Sequence, residues 1–325
     1  MPSPPSFTGE PIESKWRAGR RHSALTLGTA QLGLKYGAAN RTGKPSFDQA
    51  VAIVHEAIAH GVTTFDCARG YGDAETRLGV ALQGIGNLEV VTKLDPLATL
   101  SLGGAISDVM AAVDASIQRS CQELQLSQLP TVLLHRWSHR HVYDDAIWRR
   151  LLDLKSQGLI QRLGASVYTP DEAIEALHDP DVVHLQLPFN VLDWRWKASG
   201  VHALASARDD VVIHARSALL QGILAHEAFT WPQLERVDPQ HWLRELDQLV
   251  DAMGRQSRAD LCLAFVRSQP WITSTVVGVD TLEQLEANVA LFEGQKLTAE
   301  QCVEIEERLA GAPEHLLNPA LWPST

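Results

Sequence analysis

A chain of 325 residues with a net charge of −11 at pH 7, 45% hydrophobic and 21% charged, is long enough to bury a full core, as two small domains or as one large α/β barrel. The acidic balance and the lack of any basic run argue against nucleic acid or an anionic membrane surface as the main partner, because both attract Lys/Arg patches. The cysteines Cys67, Cys121, Cys262 and Cys302 are scattered, with neither CxxC nor metal-ligand spacing, so reduced thiols and no metal site are expected. No apolar run reaches signal-peptide or membrane-spanning length, which points to a cytoplasmic protein. The proline-rich start marks residues 1–22 as a disordered segment, ahead of a single domain spanning 23–325.

Residues 25–33 read as a strand running into a glycine turn. A helix follows, with Ser46 and Gln49 placed for a capping box, an apolar stripe through Ala50, Ile53, Ala57 and Ile58, and Gly61 at the C-terminal cap. Residues 62–67 form the next strand. Asp73 is placed to cap a helix carrying Leu78 and Leu82, and the β-branched run 88–93 ends in Lys93. A long amphipathic helix then puts Val109, Val113, Ile117, Cys121 and Leu124 on one face, and the strand after it ends in His135. Further strands fall at 160–167, 182–189 and 211–217, and Thr169 to Glu172 spell a helix start with a first-turn proline. A loop-rich insertion occupies 222–241, the eighth strand ends at Gly278, and Leu282, Leu285, Val289 and Phe292 face the last helix inward.

Eight short apolar strands alternating with helices favour a single (β/α)8 barrel, a TIM barrel with a parallel eight-stranded sheet, over a doubly wound sheet. No Gly-x-Gly-x-x-Gly follows an early strand, which weighs against a Rossmann domain. In such barrels functional groups gather at the C-terminal ends of the strands. Asp66, Lys93 and His135 occupy that position in three consecutive strands, with Tyr71 in the loop after the first.

Each of these four has a plain structural explanation when taken alone, as turn cap, loop aromatic, exposed lysine or core histidine. Together they make a proton-transfer site. A phenol with a pKa of about 10 is a reluctant proton donor at neutral pH. A lysine ammonium about 4 Å away stabilises the phenolate by up to ~4 kcal/mol at an effective dielectric of ~20, nearly three pKa units, enough to bring Tyr71 into working range. Asp66 is expected to keep the buried Lys93 charged, and His135 to donate to the substrate oxygen.

The stretch from Phe65 to Glu75 with Leu78 and Gly79, the run Val91, Thr92, Lys93, and the run Leu133, Leu134, His135 together resemble the aldo-keto reductase superfamily over residues 25–292. The family's Asp, Tyr, Lys and His tetrad matches Asp66, Tyr71, Lys93 and His135. The resemblance implies a reversible oxidoreductase that interconverts a carbonyl (aldehyde, ketone or sugar) and an alcohol, with Tyr71 as general acid/base. It also implies a nicotinamide cofactor across the barrel mouth. Ser166 and Gln186 match the amide-binding positions, with Asn190 nearby. Ser217, Leu219 and Gly222 fall in the stretch Ser217 to Gly222 that resembles the pyrophosphate loop, with Arg216 just before it among the cofactor positions, and Gly278, Gln284 and Asn288 in the segment that receives the adenosine phosphate.

Two positions depart from the pattern. Arg216 stands where the family stacks an aromatic on the nicotinamide, and reads equally as a stacking cation favouring the reduced cofactor, a ligand for an anion, or a surface arginine. Asp280 stands where NADP-preferring relatives carry a base or neutral donor, and reads either as a group repelling the 2′-phosphate or, with Glu283, as a helix-capping pair. NADP(H) is the expectation from the resemblance, with NAD(H) open. Tyr36, Trp137, Trp194, Trp196 and the tail at Trp322 are candidates to wall a substrate pocket, with Tyr36 and above all Trp137, two residues past His135, preferred. A cofactor-binding, redox-sensing regulatory subunit with little turnover would share the same tetrad. The oligomeric state is not legible.

Overall fold

Short β-branched and apolar runs that must be buried on both faces pair best in parallel with helices outside them. The computed structural model describes residues 12–38, 40, 42–97 and 105–323. After two N-terminal strands, β1 (Ser14–Arg17) and β2 (Arg20–Ser23), come β3 (Leu25–Gly28), β4 (Thr64–Asp66), β5 (Glu89–Lys93) and β6 (Leu129–Leu134), followed by β7 (Ile160–Ser166), β8 (Val182–Pro188), β9 (Val212–Arg216) and β10 (Ser274–Gly278). The strands from β3 to β10 pair in parallel, each with the next, and β10 returns to β3 to close the barrel.

Register decides what faces the mouth. Asp66 pairs with Gly28 and Val91, Lys93 with Leu133, Ser166 with Gln186, and Pro188 with Arg216. Side chains two apart on a strand share a face, so Lys93, two residues beyond Val91, projects to the same rim as Asp66. The local signals behave as the sequence indicates at Ser46 with Gln49 and at Thr169 with Glu172, both reciprocal capping boxes. Asp73 does not cap its helix, because Lys44 and Arg77 hold its carboxylate instead. Nor do Asp280 and Glu283 cap the last barrel helix, Leu282–Glu293. Thr281 is the N-cap, and its side chain accepts from the Gln284 amide.

The expectation of disorder through residue 22 fails for the described part of that segment, since Ser14–Arg17 and Arg20–Ser23 form an antiparallel hairpin. Residues 1–11 lie outside the described residues. The hairpin is ordered by two cations that meet carbonyls at the ends of distant elements. Lys15 Nζ donates to Ile272 O at 2.6 Å and Gln269 O at 3.2 Å. The Arg17 guanidinium donates to Ala205 O at 2.7 Å, Arg208 O at 2.6 Å and Val211 O at 3.0 Å. Helix C-termini leave such carbonyls without intrahelical donors, and cations satisfy them.

The barrel interior is not wholly apolar. His184 and His214 are fully buried with ring centroids 4.2 Å apart, and burial drives both pKa values well below 6.5, so the rings are neutral. Among the described residues no helix is long and apolar enough to cross a membrane.

Candidate active site

The loop after β4 is held by close backbone approach. A Cβ on Gly33 would lie 1.9 Å from the Tyr71 carbonyl oxygen, and one on Gly72, where φ is +60°, would lie 2.4 Å from Gly33 O. Only glycine lets the short helix Ala30–Gly33 pack this tightly against the Tyr71 loop. A second support lies behind the loop, where Arg69 pairs with the buried Glu75 and with Glu123, and Thr92 Oγ1 donates to Glu75 Oε1 at 2.5 Å. Arg69 and Glu75 fall in the stretch Phe65 to Glu75 singled out from the sequence, but nothing there shows that they pair, since charged residues in a loop and a helix start read as solvated.

At the barrel mouth Lys93 Nζ donates to Asp66 Oδ1 at 2.6 Å and to Cys67 O at 2.9 Å, with the lysine 1% and the aspartate 4% exposed. Gln186 Nε2 donates to the same Asp66 Oδ1 at 2.7 Å. Gln186 thus braces the ion pair, a role its position in the sequence does not reveal. Its Oε1 is buried and has no partner. Lys93 Nζ lies 5.0 Å from the centre of the Tyr71 ring, and that ring meets His135 edge to face with centroids 6.1 Å apart. The four residues singled out from the sequence therefore form one cluster.

Their proton affinities follow from burial and mutual charge. Burial pushes the Tyr71 phenol up to about 12, against the opposing pull of Lys93. The sequence-based expectation that Lys93 brings this phenol down toward neutrality is therefore corrected: desolvation of the phenolate outweighs the cation. Burial also works against charge on Lys93, yet Asp66 foremost, with Tyr71, raises its pKa to about 12. Burial, then Lys93 and Arg216, push His135 down to about 3. At neutral pH the cluster holds a protonated phenol, a charged ammonium and a neutral imidazole.

A cavity of about 360 Å³ opens from this cluster, lined by Asp66, Tyr71 and Tyr36 at one end and by Gly278, Asp280, Gln284 and Asn288 at the other. Arg216 lines it beside the cluster, where its charge acts on Tyr71 and His135, and Ser217, Leu219 and Gly222 line it beyond. The segment 217–222 turns sharply, with Ser217, Leu220, Gln221 and Gly222 all at positive φ. Asp280 Oδ1 accepts from Asn40 Nδ2 at 2.6 Å, so the carboxylate stands in the cavity wall. Gln221 lines the cavity from within the segment read as the pyrophosphate loop, and Gln31, Asn40 and His226, which the sequence did not assign to a site, line it too.

Trp137, Asn190, Trp194 and Trp196 go elsewhere. Trp137 does not wall this cavity. It is 2% exposed, packs edge to face on Trp148 and donates from Nε1 to Glu175 Oε2 at 2.7 Å, because its side chain turns outward between helices. Asn190 accepts from the Leu192 amide and lines a separate cavity of about 70 Å³ with Phe189, Trp194 and Trp271. Trp196 is fully buried against Asp193.

A closed parallel barrel that gathers a Lys–Asp pair, a tyrosine and a histidine at the C-terminal ends of its strands carries them at the end where barrel enzymes hold their sites. The aldo/keto reductase family model matches residues 24–310. The chain belongs to the aldo/keto reductase family and is an oxidoreductase. It is 24% identical over 333 residues to the L-glyceraldehyde 3-phosphate reductase of Escherichia coli O157:H7, covering 90% of this chain and 91% of that protein. It is 22% identical to the uncharacterized oxidoreductase YqkF of Bacillus subtilis, with 78% and 85% covered. Its fold is similar to that of aldo-keto reductase AKR11C1 from Bacillus halodurans in its holo form, with a TM-score of 0.72 at 20% identity, covering 91% of this chain and 96% of that one.

Proposed function

We propose that the protein reduces an aldehyde, ketone or sugar carbonyl to the alcohol with a nicotinamide dinucleotide, and that Tyr71 is the proton donor. The observation that carries this reading is the Lys93–Asp66 pair set beneath Tyr71, beside a neutral His135, with Asp66 and Tyr71 lining the cavity.

The residues present fit such a cofactor. Gln186 Oε1, buried without a partner, suits the amide N–H of a carboxamide. The 217–222 turn and the start of the helix Leu282–Glu293 suit phosphate oxygens, since helix N-termini present free N–H groups. Ser166, Arg216, Ser217, Leu219, Gly222, Gly278, Gln284 and Asn288 are the residues we assign to holding it. The resemblance implies NADP(H), but Asp280 lines the adenosine end and, among the described residues lining that end, none is Lys or Arg. That charge balance weighs toward NAD(H).

When bound, the cofactor supplies a hydride to the carbonyl carbon. His135, held neutral, offers an N–H to the carbonyl oxygen and orients it. Tyr71, protonated throughout the physiological range, gives its proton to that oxygen as negative charge develops. Lys93 stabilises the phenolate left behind, and Asp66 with Gln186 fixes the lysine in place. The rim residue Tyr36, 44% exposed, walls the substrate side.

The test is Tyr71→Phe, assayed for turnover with a carbonyl panel and for cofactor binding by quenching of the protein's tryptophans. The panel begins with glyceraldehyde 3-phosphate, after the name of the Escherichia coli relative. Binding retained with turnover reduced at least ~100-fold is expected. Turnover retained in the variant would remove Tyr71 from the role.

A further inference from the structure

Among the described residues, the cavity that opens from the tetrad is lined by one guanidinium, that of Arg216, and no described carboxylate neutralises it. Arg216 ends β9, its Nη2 donates to Val167 O at 3.2 Å, and its Cζ lies over the Tyr168 ring, 4.4 Å from the centroid. No carboxylate among the described residues pairs with it. The other charges facing the cavity are accounted for: Asp66 is held by Lys93 and Gln186, and Asp280, at the far end, by Asn40. Layering on Tyr168 and the bond to Val167 hold the guanidinium at the tetrad end, where its field reaches both Tyr71 and His135.

The hydride-carrying ring must come within bonding reach of a carbonyl held by Tyr71 and His135, and so beside Arg216. That ring is neutral when reduced and carries a positive charge after the hydride leaves. We infer that Arg216 sets the redox preference of the site, holding the neutral, reduced nicotinamide more tightly than the cationic, oxidised one. The inference rests on the function proposed above and adds a direction to it. A fixed cation next to the ring disfavours the oxidised form, speeds its release after reduction and opposes the reverse reaction. Two unit charges about 5 Å apart at an effective dielectric of ~40 repel enough to shift a binding ratio roughly tenfold.

The experiment measures dissociation constants for NADH, NAD⁺, NADPH and NADP⁺ by tryptophan quenching and calorimetry, in the unchanged protein and in Arg216→Met, Arg216→Gln and Arg216→Lys. The unchanged protein is expected to bind the reduced form of its preferred cofactor at least about tenfold more tightly than the oxidised form. Arg216→Met and Arg216→Gln should reduce that ratio about tenfold, and Arg216→Lys, which keeps the charge, should retain most of it. A Met or Gln variant that folds, by its circular dichroism, and keeps the ratio overturns the inference. Equal weakening of both forms does the same, because it marks an arginine that holds the pyrophosphate. Failure of the unchanged protein to bind any of the four nucleotides removes the proposed function along with the inference, whereas binding with an unchanged ratio removes the inference alone.

Discussion

Replacing Lys93 by Met takes away the ammonium that sits 2.6 Å from Asp66 Oδ1 and leaves a carboxylate that is 4% exposed with one donor, Gln186 Nε2. Breaking a buried ion pair from one side costs about 3–5 kcal/mol, because the remaining charge is uncompensated. The bond from Gln186 places the expectation at the lower end, about 3 kcal/mol, a large share of the ~5–15 kcal/mol that stabilises a typical fold. Urea unfolding followed by tryptophan fluorescence reads the loss as a fall in midpoint. The double variant Asp66→Asn with Lys93→Met removes both charges, and should recover at least ~2 kcal/mol of the loss as coupling energy. Its turnover should stay as low as that of the single variant, since the phenolate has lost its cation. A loss below ~1 kcal/mol in Lys93→Met, or strict additivity in the double variant, would refute the idea that these two groups hold each other charged.

With Tyr71 at about 12 and His135 at about 3, both groups keep their working protonation states across the middle of the pH range. The rate of the reduction step, followed in single-turnover experiments, should therefore be flat from about pH 5 to 9; an ionisation near pH 6–7 would contradict the neutral, depressed histidine. Asp280→Asn keeps an oxygen to accept from Asn40 while removing the charge, and should raise affinity for NADPH relative to NADH about tenfold, ~1.4 kcal/mol, read by fluorescence quenching. An unchanged ratio would place Asp280 away from the 2′-phosphate. Gly33→Ala puts a methyl 1.9 Å from the Tyr71 carbonyl oxygen and 2.7 Å from the Ala74 amide nitrogen, so the Tyr71 loop must shift. The expected result is about 1–3 kcal/mol of destabilisation and at least a tenfold fall in kcat, larger than any change in cofactor affinity.

The barrel and the tetrad were legible because they rest on periodicity and strand ends, which a sequence carries directly. Asp66, Lys93 and His135 close three successive apolar runs, and a parallel closed sheet brings such ends together whatever the helices do. What was not legible depends on side-chain direction and distance. Trp137 sits at the rim by its backbone, but its indole reaches outward to Glu175 on a helix 38 residues away in the chain. Gln186 matched a cofactor position, while its contact with Asp66, across 120 residues of sequence, appears only in three dimensions. Counting charges around Tyr71 gave the wrong sign because the cost of burying a phenolate cannot be read from neighbours in sequence. The hairpin at residues 14–23 escaped because its strands are short and polar, and its partners are backbone carbonyls near residues 205–211 and 269–272, identical in every amino acid.

That hairpin also bears on the order in which the molecule can be completed. Lys15 and Arg17 are made well before the carbonyls they bind, which belong to segments some 190 to 260 residues further along the chain. The first barrel strand likewise waits for the last, since β3 closes on β10. Both long-range closures are paid for in loop entropy before they return any contact energy, which makes them late and cooperative events. A chain starting at Ala24 would retain every barrel strand and all four tetrad residues, but it would lose the clamp on the carbonyls of 205–211 and 269–272. The shortened protein should open first at the β3–β10 seam, and hydrogen exchange at Thr275 and Val277, whose amides lie in that seam, would register it.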